Sequence, residues 1–317
     1  MSQINIEIIK NVSNKYPNVI STSFFTMKDA YRSFTKYENA LKKFLDYTNQ
    51  LDNFEVRIYT DNSGIDYALK VSQNIENVSI YKFDCPEFKD NNYHIGTFGT
   101  LVRFIPLFED HEIVWISDID IPSTYLNKDT LQLMSKNNSH IYIQTLICYE
   151  RKVYGRKQTI VANKFIVKNL KFSKALLTRF LNKILKGSLK STIDNLNLAN
   201  TRKPPSKIPY GIDEYFMNTS IYDNIRKHSS LKIYIKKQYD AEKFIEYLPS
   251  ITQKDKLIIL QNYMNPTKET ISRMKELYKK NIPLILDKYP CLQELLDKLP
   301  LFKNDFNEHY ILNSNEI

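Results

Sequence analysis

Two aspartates, Asp118 and Asp120, close the apolar run Glu112-Ile113-Val114-Trp115-Ile116-Ser117. Side chains alternate along extended backbone, so carboxylates two residues apart point to the same side. Hard oxygen ligands paired on a rigid strand end suit Mg²⁺ or Mn²⁺, which can in turn bridge to a diphosphate. Upstream, Arg103 offers a planar fork that matches phosphate geometry, and is a candidate clamp for the same group. Further along, Asp213 and Glu214 open an expected helix. A carboxylate there is a candidate to deprotonate an attacking hydroxyl. The same pair also suits a helix start, with Asp213 as cap and Glu214 complementing the dipole.

These side chains need elements to hold them. The run before Asp118 is short and β-branched, which reads as a buried strand of a parallel sheet, and Pro122 should end it because it cannot donate to a ladder. Residues 18–25 read as a first strand, central and buried. Residues 27–51 carry Tyr31, Phe34, Tyr37, Leu41, Phe44 and Leu45 at helical spacing. Residues 54–60 are a second strand, ending in the turn Asp61-Asn62-Ser63-Gly64, whose composition would also cap the next helix. A helix over 65–75 and a strand over 78–83 follow. Strand and helix in alternation indicate a doubly wound α/β sheet, and right-handed crossovers would place Asp61 on the same edge as Asp118 and Asp120. Ligands bind beyond the carboxyl ends of such strands.

Phe98, Leu101, Phe104, Ile105 and Phe108 predict a helical face that leaves Arg103 pointing elsewhere. Beyond Pro122 the pattern predicts a helix over 126–135, a strand over 140–147, an apolar run over 158–168 and a helix over 172–185. Residues 187–209 are polar and contain Pro204-Pro205, which reads as a long loop able to order over a ligand. A strand over 231–235 precedes helical stretches near 242–248, 267–280 and 290–299. The chain thus divides into 1–238, which carries the candidate chemistry, and a helical region, 239–317, packed on it.

Composition narrows the class. A hydrophobic fraction of 42% with 22 Tyr and 17 Phe excludes a disordered chain. Three cysteines, Cys85, Cys148 and Cys291, far apart and without a CxxC pair, argue against a disulfide framework or zinc site and fit a reducing compartment. No stretch approaches the length of a membrane span, and Met1 to Lys10 shows no positively charged segment followed by a long apolar one, so a cytoplasmic protein without integral membrane segments is expected. The net charge of +10 fits an anionic substrate or a polyanionic partner, but the Lys and Arg are scattered without a run of five or six. Acidic Glu109, Asp110 and Glu112 flank the aspartate strand, which weighs against nucleic acid as partner.

Five pieces together resemble the GT-A nucleotide-sugar glycosyltransferases, in particular bacterial and large-DNA-virus enzymes of that fold. They are the strand Val19 to Phe25, the strand end Arg57-Ile58-Tyr59-Thr60-Asp61, the helix Gly99-Thr100-Leu101-Val102-Arg103-Phe104, Asp118-Ile119-Asp120, and Gly211-Ile212-Asp213-Glu214-Tyr215-Phe216-Met217-Asn218. The resemblance covers about residues 18–220 and implies a Rossmann-like, mostly parallel sheet flanked by helices, with a helical C-terminal extension. It implies that Asp120 is the principal ligand of Mn²⁺ or Mg²⁺ and that Asp118, in the DxD motif, contacts metal or ribose. Ser23, Phe24, Phe25, Thr26 and Asp61 would hold the nucleotide base and ribose. Arg103 would face the sugar nucleotide, with Asp213 or Glu214 near the donor sugar or the acceptor hydroxyl. Many members use a late His as a third metal ligand; here the late candidates are His228 and His309, in unpersuasive settings. The expected function is metal-dependent transfer of a sugar from a nucleoside-diphosphate sugar, UDP-sugar before GDP-sugar, to a glycan or protein hydroxyl. The alternative is a metal-dependent nucleic-acid-binding or phosphotransfer enzyme.

Overall fold

The computed structural model describes residues 4–12, 15–27, 33–120, 128–146, 160–162, 164–199, 205–228, 230–238 and 307–314. From the N-terminus these form β1 (Asn5–Lys10), β2 (Asn18–Phe24), α1 (Phe34–Thr48), β3 (Phe54–Thr60), α2 (Ile65–Val71) and β4 (Val78–Asp84). A short hairpin, β5 (Lys89–Asp90) and β6 (Tyr93–His94), leads to α3 (Phe98–Val102), β7 (Ile113–Ser117), α4 (Lys128–Lys136), β8 (Ile141–Leu146) and β9 (Lys164–Lys168). Then come α5 (Ala175–Leu185), α6 (Lys190–Ala199), α7 (Ile212–Phe216), α8 (Tyr222–Ile225), β10 (Lys232–Gln238) and β11 (Asn307–Asn313).

The α/β class expected from the strand–helix alternation is the one the chain adopts. Among the described residues the main sheet runs β1-β4-β3-β2-β7-β9-β8-β10-β11. Its centre, β4-β3-β2-β7, is parallel, while β1 on one side and β9 on the other pair antiparallel. Alternation sorts the side chains of β3. Phe54, Val56 and Ile58 enter a core with Ile20, Phe24, Trp115 and the α1 residues Leu41, Phe44 and Leu45. Each such side chain contributes about 1.5–3 kcal/mol by leaving water. The 3–4 spacing on α1 puts these residues on one face, as the sequence period requires.

Several elements depart from expectation for identifiable reasons. Ahead of the strand expected first, the chain forms β1, an edge strand exposed enough to blur its apolar pattern. β7 stops at Ser117 rather than Pro122: its ladder with β9 ends at Ser117 opposite Lys164, and the Ser117 carbonyl accepts from Arg103 instead. The helix read over 98–108 is broken into α3 and a 3₁₀ turn over Ile105–Phe108, because Pro106 has no N–H to continue it. The stretch read as a long loop holds α6, whose Leu196 is buried. Asn307–Asn313, in the tail read as helical, is strand. The helices read over 242–248, 267–280 and 290–299, and Pro122 itself, lie outside the described residues.

The chain forms two compact units, residues 1–143, 160–234 and 311–317 in one and residues 144–159 and 235–310 in the other. The site below belongs to the first.

Candidate functional site

β2 starts the parallel sheet; β3 and β4 extend it to one side and β7 joins on the other. The gap between β2 and β7 is therefore a topological switch point, where diverging connections leave a crevice beyond the strand ends. Phe24 pairs with Thr60 and Ser21 with Ile116, so Asp61 and Asp118 follow the ends of the two strands that flank β2, on one edge. Asp118 and Asp120 are part-exposed while Ile119 is buried, which is the alternation expected of them.

Arg103 organises this crevice. It is 3% exposed, and Ser21 on β2 anchors its backbone, donating from Oγ to the Arg103 carbonyl at 2.6 Å. Its Nη1 pairs with Asp118 Oδ1 and donates to the Ser117 carbonyl at 3.2 Å; its Nη2 donates to Asp213 Oδ2 at 2.8 Å and to the Ala162 carbonyl at 3.5 Å. Three residues singled out from distant parts of the sequence thus meet in one cluster. Burial opposes the guanidinium charge, but Asp118 and Asp213 outweigh it and raise its pKa. The Nε of Arg103 is a buried donor with no partner among the described residues. It shares this state with core donors such as Trp115 Nε1.

Asp213 sits at the start of α7, after Gly211, whose φ of 86° only glycine adopts freely. Its Oδ1 accepts from the Glu214 N–H at 3.0 Å, so both oxygens are engaged. Burial pushes its carboxyl above the ordinary range, with Arg103 pulling against it and Asp118 adding to it. Glu214 follows on the same turn and is half-buried.

Asn218, quoted in the sequence motif but given no role there, holds the site from behind. It is fully buried; Oδ1 accepts from Ile160 N–H at 2.9 Å, and Nδ2 donates to the carbonyls of Ile160 at 2.9 Å and Glu214 at 2.8 Å. It lies in a π-helical turn, Met217–Ile221, a feature that often marks functional positions. Its sequence neighbours gave no signal, since Asn is abundant throughout the chain.

Asp61 is on the expected edge, yet its carboxylate is committed inward. Oδ2 lies 2.8 Å from His94 Nδ1, and Oδ1 accepts from Ser63 N–H at 2.9 Å and from the Ser63 hydroxyl. The Cys85 N–H donates to His94 Nε2 at 3.2 Å, so Nδ1 carries the proton and donates to Asp61. Burial raises the Asp61 carboxyl, but the bonds from His94 and Ser63 outweigh it and hold it below its usual value. Next to this pair is a cavity of about 300 Å³ lined in part by Asn62, Lys82, Lys89 and Asn92. Of the other residues expected at the nucleotide, Phe24 and Phe25 are core: Phe24 packs on Phe34 and Tyr67, Phe25 on Phe83. They leave only backbone to offer a ligand. Ser23 is half-buried, and the Thr26 N–H donates to Ser63 Oγ at 2.9 Å.

No group of three His, Cys, Asp or Glu able to hold a metal occurs among the described residues, and His228 is exposed at the end of α8. A cation here would draw on Asp118 and Asp120 plus oxygens of a substrate, a donor set typical of Mg²⁺ and compatible with Mn²⁺. No helix among the described residues is long and apolar enough to cross a membrane.

No family model and no curated protein matches the chain. Among solved structures it is similar to the galactosyltransferase LgtC in complex with donor and acceptor sugar analogues, at 13% identity and a TM-score of 0.36. That likeness covers 51% of this chain and 61% of the galactosyltransferase, so the chain spans less than two thirds of it.

Proposed function

We propose that this protein is a metal-dependent glycosyltransferase, moving a sugar from a nucleoside-diphosphate sugar, UDP-linked before GDP-linked, to a hydroxyl of a glycan or protein. The observation that carries this reading is the Arg103 guanidinium, buried at the switch point between Asp118 and Asp213 with one donor left over. A leaving diphosphate gains negative charge as the glycosidic bond breaks, and a fixed guanidinium in a water-poor site stabilises that charge without reorganising. Asp118 and Asp120 would hold Mn²⁺ or Mg²⁺, which supplies Lewis-acid stabilisation at the diphosphate.

Asp213 orients Arg103 through Nη2 and, with its carboxyl raised by burial, is the first candidate to accept a proton from the acceptor hydroxyl. Glu214 is the second candidate. The cavity beside Asp61 and His94 would take the base and ribose; there Asp61 would act by positioning, with Asn62 and the strand-end backbone as contacts.

The test is thermal unfolding against UDP-, GDP- and CMP-sugars, with and without Mn²⁺, for the natural chain and Asp120→Ala. Ligand at 100 times its Kd stabilises by about 2.7 kcal/mol, a shift of several degrees. One nucleotide family should give that shift, and only with metal and Asp120 both present. No shift with any donor, together with salt-sensitive binding of nucleic acid, would instead favour the alternative.

A further inference from the structure

Without forming a continuous run, the net positive charge of this chain gathers in one segment, where carboxylates are missing and Lys and Arg are about twice as dense as in an even spread. Between Glu150 and Asp194 there is no acidic residue, although an even spread would place about five there. The same 43 residues hold twelve Lys and Arg. Their net charge of +12 exceeds the +10 of the whole chain, leaving the remainder at −2.

The described part of this segment gives the charge a surface. Lys171, Lys174, Arg179, Lys183, Lys186 and Lys190, on and around α5 and at the start of α6, are all exposed. Lys171 pairs with Asp110 at 2.5 Å; the other five have no ion-pair partner among the described residues. Arg179, Lys183 and Lys186, four and three residues apart, form one stripe of α5, while Leu177, Phe180, Leu181 and Ile184 bury the opposite face. The helix pair also exposes aliphatic side chains, Leu185 at 44% and Leu198 at 72%.

We propose that α5 and α6 form a docking surface for a membrane rich in anionic phospholipid. Cations without an ion-pair partner among the described residues, on helices that also expose Leu185 and Leu198, match a bilayer interface, where charge meets headgroups and aliphatic side chains enter the acyl boundary. Single-stranded nucleic acid is the poorer match: it needs aromatic platforms, and the patch's Phe172 and Phe180 are buried. The surface is independent of the sugar-transfer reading, since none of its residues belongs to the Arg103 cluster.

The test is co-sedimentation of the full chain with vesicles of phosphatidylcholine alone or with about a third phosphatidylserine. Lys183→Glu/Lys186→Glu/Lys190→Glu and Leu185→Ser/Leu198→Ser are compared with the natural chain, each checked for an unchanged melting temperature. Binding should require phosphatidylserine, fall about a hundredfold in the charge variant, fall severalfold in the leucine variant, and weaken sharply in about 0.5 M salt. The salt and lipid arms use the natural chain and decide the matter even where a variant fails to fold. Binding indifferent to phosphatidylserine, or retained in a folded charge variant, overturns the proposal. So does tighter binding to a labelled oligonucleotide than to the vesicles, lost in the same charge variant.

Discussion

Arg103 stands between two carboxylates of a largely buried cluster, and its removal tests what each is worth. Arg103→Met should destabilise the fold by about 3–5 kcal/mol, because Asp118 and Asp213 then face each other without a counter-charge. Adding Asp213→Asn to that variant should recover part of the loss, since one of the stranded charges is gone. Urea midpoints check both; a double variant no more stable than the single one would mean that the pair is not energetically coupled. Asp61 carries a pH prediction of definite sign. Its carboxyl is lower in the folded chain than the value of about 3.9 it has when unfolded, so the folded state binds the proton less readily. The stabilisation is complete above that unfolded value and is lost as pH falls through the lower folded one. Asp61→Asn should therefore be less stable at neutral pH and show a flatter acid limb below about pH 4, read by thermal melts across pH.

At the scale of elements, contacts between loops and helices decide how well the site is held. A Cβ on Gly96, whose φ is +54°, would lie 2.2 Å from the Ile208 carbonyl oxygen, where the 205–209 segment is tied to Thr97. Gly96→Ala should cost about 1–3 kcal/mol from strain and displacement. Asn218→Ala should cost about 2–4 kcal/mol by stranding the Ile160 N–H and carbonyl, and it should also weaken donor binding by loosening the Ala162 carbonyl beside Arg103. Equilibrium unfolding measures both, and a variant that lost stability but kept donor affinity unchanged would confine Asn218 to folding. Such contacts explain what the sequence could and could not disclose. β7 was legible because burial on both faces makes a near-continuous apolar run, and β2 and β3 because β-branched and aromatic residues recur along them, in β3 alternating with Glu55 and Arg57. β1 was not, because an exposed edge strand needs little apolar surface. α6 was hidden by its polar faces and the prolines beyond it, although Leu189, Ile193 and Leu196 keep helical spacing. In the site, Asp118, Asp120, Arg103 and Asp213 were legible as charged residues at element ends. Ser21, His94 and Asn218 were not, because their partners are backbone or carboxylate groups far away in sequence.

At the scale of the whole molecule, the parallel sheet separates two charged networks that should behave differently. The Arg103 cluster lies at the carboxyl edge. A second network starts on β3, where buried Arg57 pairs with Glu55 at 2.9 Å and Glu109 at 2.5 Å and lies over the Tyr81 ring, with His111 against Glu109 at 3.1 Å. It borders a separate cavity of about 800 Å³ that includes Tyr16, Pro17 and Glu112, at the amino ends of β2 and β7. In a doubly wound sheet ligands meet the carboxyl edge, so the amino-edge network should serve stability alone. Arg57→Met strands Glu55, which is fully buried, and should lower stability by about 3 kcal/mol while leaving the nucleotide-sugar melting shift unchanged. Asp120→Ala should do the reverse, costing about 1 kcal/mol or less but removing the metal-dependent shift. Measured together by calorimetry with and without donor and Mn²⁺, the two variants divide the molecule into a folding edge and a binding edge. If Arg57→Met abolished the shift and Asp120→Ala preserved it, the ligand would belong at the amino edge, and the roles given to Asp118, Asp120 and Arg103 would fall with that result.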